Sequence, residues 1–252
     1  MTTTLITGAT AGIGEATALR LAREQHRLII CGRREERLEV LAQKLLLEGA
    51  TEVLTCVFDI RDREATSAML ESLPKEWQQI DVLINNAGLA VGLSTLHQGD
   101  TDDWERMIDT NIKGLLYVTR IIAPMMTQRN TGHIINVGSI AGREVYPGGN
   151  VYCATKHAVD AITKALRIEL VEHNIRVTQI APAATETEFS VVRFKGDEER
   201  AGKVYQGFDP LTGNDIADII AFVISRPPHV NINDLFVTPT AQSTATNIIR
   251  KG

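Results

Sequence analysis

Short β-branched runs alternate with helical patterns along almost the whole chain, and this rhythm restricts the fold more than any single residue does. The runs are TTLIT (3–7), RLIIC (27–31), EVLTCVF (52–58), DVLINN (81–86), GHIINVGS (132–139), IRVTQIAP (175–182) and DLFVTP (234–239). Most are nearly continuous apolar stretches, as expected of strands covered on both faces. Between them lie helical patterns such as GEATALRLAREQ, EERLEVLAQKLLLEG and DWERMIDTNIKGLLYVTRIIAPMMTQ. Strand, helix, strand, repeated, predicts an α/β fold: a doubly wound parallel sheet with helices on both faces.

No Gly/Ser/Pro linker, compositional shift or internal repeat divides the 252 residues, so a single domain spanning 1–252 is expected. The rhythm breaks only at TETEFSVVRFKGDEERAGKVYQGFDPLT (185–212), after the sixth strand. Ligands bind at the carboxyl ends of strands in such sheets, which makes this irregular stretch a candidate substrate lid. The net charge of −5, with no Lys/Arg run longer than a pair, predicts neither a nucleic acid nor an anionic membrane as partner. No apolar run approaches the roughly 20 residues of a membrane span, and the first residues lack signal-peptide character. Cys31, Cys56 and Cys153 form no CxxC pair, which argues against zinc or a disulfide framework and suits a reducing cytoplasm. No metal site is expected.

The first turn reads LITGATAGIGEATALRLA, placing Gly8, Gly12 and Gly14 between a strand and a helix. Such glycines let the backbone approach a ligand closely, and the helix then points its N-terminal amides at a pyrophosphate. A dinucleotide site is expected; a tight turn without a ligand is the alternative. Where an NAD site usually carries Asp or Glu after the second strand, this chain has Arg33 and Arg34. Their forked donors suit a 2′-phosphate, so the expected cofactor is NADP. Alternatively, both pair with Glu35 and Glu36 at a solvated helix start.

Tyr152 and Lys156 stand one helical turn apart on one face. Tyr could simply pack while Lys snorkels past it. Taken together with TGATAGIG (7–14), NNAG (85–88), Asn111 and Ser139, however, the pair makes the sequence resemble the short-chain dehydrogenase/reductase family over essentially its full length. The resemblance implies a Rossmann-type fold and hydride transfer between a nicotinamide and a CH–OH carbon. By that resemblance Tyr152 is the general acid/base and Lys156 tunes it. A phenol of pKa about 10 is a poor base unless nearby cations favour the phenolate. Ser139, at the edge of the fifth strand, would donate to the substrate oxygen, and Asn111 would hold a water leading from Lys156 to solvent. The cofactor would be bound by Thr7, Gly8, Thr10, Ala11, Gly12, Ile13 and Gly14, with Asp59 at the adenine amino group and a backbone contact from Ile60. Asn86, Ala87 and Gly88 would follow the fourth strand, with Tyr152 and Lys156 completing the set. The family's Pro-Gly after the sixth strand is here Pro182-Ala183. Alanine serves in that place if its φ is negative. Thr185 replaces a commonly aliphatic residue, and Thr187 matches a threonine that reaches the cofactor.

A narrower likeness links TEFSVVRFKGD, PPHVNINDL and GGNVYCATKHA to the NADP-dependent 3-hydroxy acid dehydrogenases, which include dehydrogenases of serine and L-allo-threonine and reductases of malonic semialdehyde. Arg193 and Lys195, in the lid, could meet a substrate carboxylate, or else pair with Asp197 and Glu198. The expected substrate residues are Ser139, Tyr152 and Arg193. A broad NADPH-dependent carbonyl reductase of non-acid ketones is the alternative, and an NADP-binding protein without turnover is a more distant one. His157 points about 100° away from Lys156 on its helix and is expected to pack or face solvent. The family usually forms homotetramers, and the polar tail QSTATNIIRKG could cross to a neighbour or fray.

Overall fold

The structure, a computed structural model, describes residues 1–251. The chain runs β1 (Thr3–Thr7), α1 (Gly12–Ala22), β2 (Arg27–Gly32), α2 (Glu35–Leu47), β3 (Glu52–Val57), α3 (Arg63–Glu71), β4 (Val82–Asn85), α4 (Thr101–Ile108), α5 (Leu115–Thr127), β5 (Gly132–Val137), α6 (Asn150–Glu169) and β6 (Ile175–Pro182). It continues with β7 (Thr185–Glu186), α7 (Phe189–Arg193), α8 (Glu198–Lys203), β8 (Leu211–Thr212), α9 (Gly213–Ile224) and β9 (Asp234–Val237). Seven strands form one parallel sheet in the order β3-β2-β1-β4-β5-β6-β9. All seven apolar runs of the sequence are found in it.

Alternate strand residues feed two separate cores. Ile6, Leu28, Ile30, Ile84, Ile135 and Ile180 face one side, where α1, α2 and α9 cover them with Leu21, Leu38, Leu45, Ile216 and Ile220. Leu5, Ile29, Leu83, Ile134 and Val177 face the other, beneath Leu70 of α3 and Val118, Ile122 and Met126 of α5. Burial on both faces explains why the strands read as unbroken apolar runs.

The long helical pattern of residues 103–128 is not one helix. Between α4 and α5 a wide π turn spans Asp109–Gly114, and within it the buried Asn111 directs its carboxamide at the backbone of Leu89. Turns of this type gather at functional sites. The candidate lid, residues 185–212, is more ordered than an irregular stretch: β7 pairs with β8 at its two roots, and α7 and α8 lie between them. The C-terminal tail folds back on its own chain. Gln242 bridges Ile248, Lys251 donates its amide to Gly207 O, and Arg250 donates to Val204 O at 2.9 Å. Among the described residues no helix is long and apolar enough to cross a membrane.

Candidate active site

Strand order reverses between β1 and β4, and crevices form where connections diverge in this way. Here a cleft of about 470 Å³ opens, lined on its far side by residues of the candidate lid from Thr185 to Tyr205. Of the residues expected at cofactor or substrate, Thr7, Gly8, Thr10, Ala11, Gly12, Ile13, Arg33, Arg34, Asp59, Ile60, Asn86, Ala87 and Gly88 line it. So do Ser139, Tyr152, Lys156, Pro182, Ala183, Thr185, Thr187 and Arg193. Gly14 and Asn111 stand behind the lining.

The turn after β1 works through its backbone. Gly8 has φ +66°, and a Cβ there would meet Ala87 Cα at 2.9 Å. A Cβ on Gly14 would come within 2.3 Å of Gly8 O and 2.5 Å of Asn86 Nδ2, so the first turn of α1 seats on the loop only with glycine. Thr7 and Asn86 brace this turn. Thr7 Oγ1 accepts the amides of Asn86 and Ala87, both at 3.0 Å, and Asn86 Nδ2 donates to Thr7 O at 2.9 Å and Gly8 O at 3.1 Å. No side chain caps the N-terminus of α1 at Ala11. Its first amides are therefore available to an anion, and the loop fits the pyrophosphate of a dinucleotide.

At the end of β2, neither arginine pairs with Glu35 or Glu36. Arg34 donates to Thr10 Oγ1 at 2.9 Å and meets Glu188 of the lid at 3.3 Å. Arg33 is 51% exposed, and its ion-pair contact is a loose 3.6 Å to Asp59. Arg33 is thus the freer of the two for a phosphate. Asp59 is held mainly by Arg61, whose Nη2 lies 2.6 Å from Oδ2. Partial burial pushes the Asp59 carboxyl up, but Arg61 and Arg33 outweigh it and keep the group below its ordinary value.

Around Tyr152 the polar groups interlock. Tyr152 enters from the first turn of α6 and Ser139 from just beyond β5, and both line the cleft. Ser139 Oγ accepts the Ala141 amide at 3.1 Å, which leaves its proton free to point into the cleft. Lys156 Nζ donates to Val137 O at 2.9 Å, and burial lowers its pKa to about 8. Asn111 does not touch Lys156: its Nδ2 donates to Leu89 O at 2.8 Å and Thr155 Oγ1 at 3.0 Å, while Oδ1 accepts the Leu89 amide at 2.8 Å. Both groups flank Gly88, where a Cβ would lie 3.3 Å from Asn111 Oδ1 and 3.4 Å from Lys156 Nζ. Burial drives the Tyr152 pKa well above its usual value, and the cation opposing that rise is Arg193. The expected partner, Lys156 Nζ, lies 6.0 Å from the ring centroid.

Arg193 comes from the last residue of α7. Its guanidinium carbon lies 5.0 Å from the Tyr152 centroid, 5.1 Å from Phe189 and 5.8 Å from Tyr146. Nη2 donates to Tyr146 Oη at 2.8 Å, but Nε is buried without a partner. Among the described residues no carboxylate pairs with it. Lys195 behaves differently, reaching Asp103 at 2.9 Å and Asp100 at 3.6 Å on the outside of the molecule. Its partners are not Asp197 or Glu198, and it does not line the cleft. Sequence reasoning missed Tyr146, Phe189, Tyr205 and Glu188. The i, i+4 spacing of Phe189 and Arg193 was a usable signal for one face of a short helix.

At the departure from the family pattern, Ala183 stays out of positive φ and gives its amide to Val237 O at 2.8 Å. Thr185 Oγ1 donates to Ala183 O at 3.2 Å. His157 is exposed and bonds only Cys153 O, while His133 is buried against Thr178, its pKa lowered to about 3 by burial.

Comparison with known proteins agrees with this geometry. The short chain dehydrogenase family model matches residues 2–198. The NADP-dependent 3-hydroxy acid dehydrogenase YdfG of Salmonella typhi is 50% identical over 242 residues, 96% of each chain. The NADP-dependent 3-hydroxy acid dehydrogenase of Schizosaccharomyces pombe is 45% identical over 250 residues, 99% of this chain and 96% of that one. Among solved structures, the closed form of a serine dehydrogenase complexed with NADP+ superposes with a TM-score of 0.93 at 46% identity, covering 99% of this chain and 100% of the other. Serine dehydrogenase from Escherichia coli gives 0.83 at 42% identity, covering 96% and 99%. With its glycine turn, its Ser139–Tyr152–Lys156 cluster and these relatives over nearly its full length, the chain belongs to the short chain dehydrogenase family.

Proposed function

We propose that this protein interconverts small 3-hydroxy acids, of the serine, L-allo-threonine and 3-hydroxypropionate class, with their semialdehydes or ketones. It is an NADP-dependent oxidoreductase acting on CH–OH groups. The observation that carries the substrate class is Arg193: a cation at the cleft wall, boxed by three aromatic rings, with a buried Nε lacking a partner and no carboxylate beside it. A guanidinium in such a place takes a carboxylate through two parallel hydrogen bonds. Bound NADP supplies the acceptor or donor of hydride at the substrate carbon.

The chain's residues handle the oxygen and its proton. Ser139 donates its free O–H to the substrate oxygen, and Tyr152 Oη gives or takes the proton there. Buried and neutral, Tyr152 is ready as an acid in the reducing direction. In the oxidising direction it needs positive charge nearby, and Arg193 and Lys156 flank it. Lys156, with a pKa of about 8, still carries positive charge at neutral pH. Asn111 fixes the Leu89 backbone and the α6 turn through Thr155, setting the wall beside Lys156. A water on the path from Lys156 to solvent would have to find donors other than the Nδ2 protons of Asn111, which are already committed.

NADP+ reduction, followed at the nicotinamide absorbance with 3-hydroxypropionate, L-serine, L-allo-threonine and 2-propanol, tests this function. Turnover of the hydroxy acids well above 2-propanol supports it. Best activity on carboxylate-free alcohols and ketones would establish the broad carbonyl reductase instead. Leu116 on α5, Ile168 on α6 and Phe236 on β9 are exposed, and we infer from them a homotetramer buried on those elements. The three free, buried cysteines accord with a cytoplasmic location.

A further inference from the structure

One carboxylate carries the ion pairs between the lid and the cofactor side of the cleft. Glu188, immediately before α7, reaches across to α2, where Oε1 lies 2.8 Å from Arg37 Nη1 and Oε2 lies 3.3 Å from Arg34 Nη1. Arg34 is itself tied to the glycine-rich turn through Thr10. Three segments far apart in sequence, the first turn, α2 and the lid, therefore meet at one carboxylate. Partial burial pushes the Glu188 carboxyl up, but Arg37 and Arg34 outweigh it, and the group stays ionised well below neutrality.

The far end of the same short helix carries the substrate side. α7 is five residues long, and its Phe189 ring lies 5.5 Å from Tyr152 while its Arg193 stacks over the same tyrosine. Thr187 packs against the site where Gly12 would carry a Cβ, at 3.1 Å, so this root of the lid rests directly on the cofactor turn. At its C-terminal end α7 is held by the Gly92 amide on Arg193 O at 2.9 Å, by Arg193 on Tyr146 and by Lys195 on Asp103, so Glu188 is the ion-pair anchor of its N-terminal end; Arg250 on Val204 and Gly207 on Lys251 lie beyond α8. Arg37 does not line the cleft. Its ion pair with Glu188 is therefore compatible with a bound cofactor, and the 2′-phosphate has the exposed Arg33 to bind.

We propose that Glu188 is a positioning residue, a clasp that holds α7 down on Tyr152 by pairing with Arg37 and Arg34. The clasp acts on the lid, not on the choice of cofactor: Arg33 discriminates the 2′-phosphate, while Arg34 and Arg37 keep the lid shut. The inference rests on the reading of residues 185–212 as a lid over the active site. It is independent of which hydroxy acid is the substrate.

The test is hydrogen–deuterium exchange over residues 186–194 of the cofactor-free protein, together with the dissociation rates of NADPH and NADH, in wild type, Glu188→Gln, Arg37→Ala and the double variant. Exposed ion pairs of this kind predict roughly 1.5- to fivefold faster exchange in each single variant. Both cofactors should leave faster by the same factor, and the double variant should add little to either single change. Glu188→Asp should recover part of the protection. Exchange outside residues 186–194 and the thermal unfolding midpoint should both stay as in wild type, which separates a local release from a global loss of stability. Unchanged exchange in Glu188→Gln would overturn the clasp. So would tighter NADPH with unaltered NADH, since Glu188 would then be a competitor of the 2′-phosphate.

Discussion

The glycine-rich turn after β1 and the lid after β6 face each other across one cleft, yet they are built by opposite means. The turn is made of backbone. Its shape leaves no room for a side chain, since a Cβ would lie 2.3 Å from Gly8 O at position 14 and 2.9 Å from Ala87 Cα at position 8, and it is held by Thr7 and Asn86 bonding main-chain atoms. The lid is made of side chains. Its glycines at 196 and 202 would meet nothing within 4 Å if they bore a Cβ, and its position depends on Glu188, Arg193 and Phe189 finding partners elsewhere in the chain. A backbone cradle suits a ligand common to many enzymes. A side-chain wall can be rewritten for each substrate without disturbing the sheet.

Tyr152→Phe strikes where the two walls meet, and it should have the largest effect. Turnover should fall by about 10²- to 10⁴-fold, the range typical of a lost general acid/base, while NADPH binding, followed by nucleotide fluorescence, survives. Near-normal turnover would remove Tyr152 from the chemistry. Next in size is a pair of glycine substitutions. Gly14→Ala should lose about 1–3 kcal/mol of stability in urea because the loop backbone cannot yield, whereas Gly202→Ala in α8 should be neutral or stabilise slightly. Equal effects would erase the distinction between a rigid turn and an open lid. Arg33→Ala should weaken NADP by roughly tenfold and NAD hardly at all, as the loss of a charge-assisted bond predicts. Parallel weakening would return Arg33 to a structural role.

The smallest effect concerns pH. The folded protein holds Lys156 at a pKa of about 8, below the 10.5 of a free lysine. Between those values the unfolded chain binds the proton and the folded one does not, so stability from this group rises with pH through that window, by at most ~1.4 kcal/mol per pH unit. Below about 8 the charged amine is present in both states and the burial cost is felt in full. Urea midpoints should stay nearly level from pH 7 to 8 and rise from pH 8 to 9 in wild type, by about 1 kcal/mol, and the rise should be lost in Lys156→Met.

What the sequence discloses follows the same division. The seven strands were legible because burial on both faces leaves unbroken apolar runs, and the cofactor turn because glycine is required wherever backbone meets backbone. The π turn at Asn111 was not legible: a single widened turn leaves the apolar pattern of residues 103–128 intact. The lid helices are too short, five and six residues, to display a period. Nor could the pairing of Lys195 with Asp103, Arg193 with Tyr146, or Glu188 with Arg37 be read from spacing, since each joins residues 47 or more positions apart. The same reach across the chain left open whether Arg193 was a surface ion pair or a ligand for substrate.

The most direct measurement is kcat/KM for 3-hydroxypropionate and for 2-propanol in wild type and in Arg193→Met, which keeps the bulk of the side chain and removes its charge. A guanidinium that clamps the substrate carboxylate predicts a loss of roughly 10- to 100-fold for 3-hydroxypropionate, with 2-propanol changed by no more than about twofold. Equal losses for both alcohols, or none for either, would contradict a carboxylate site at Arg193 and with it the assignment to 3-hydroxy acids.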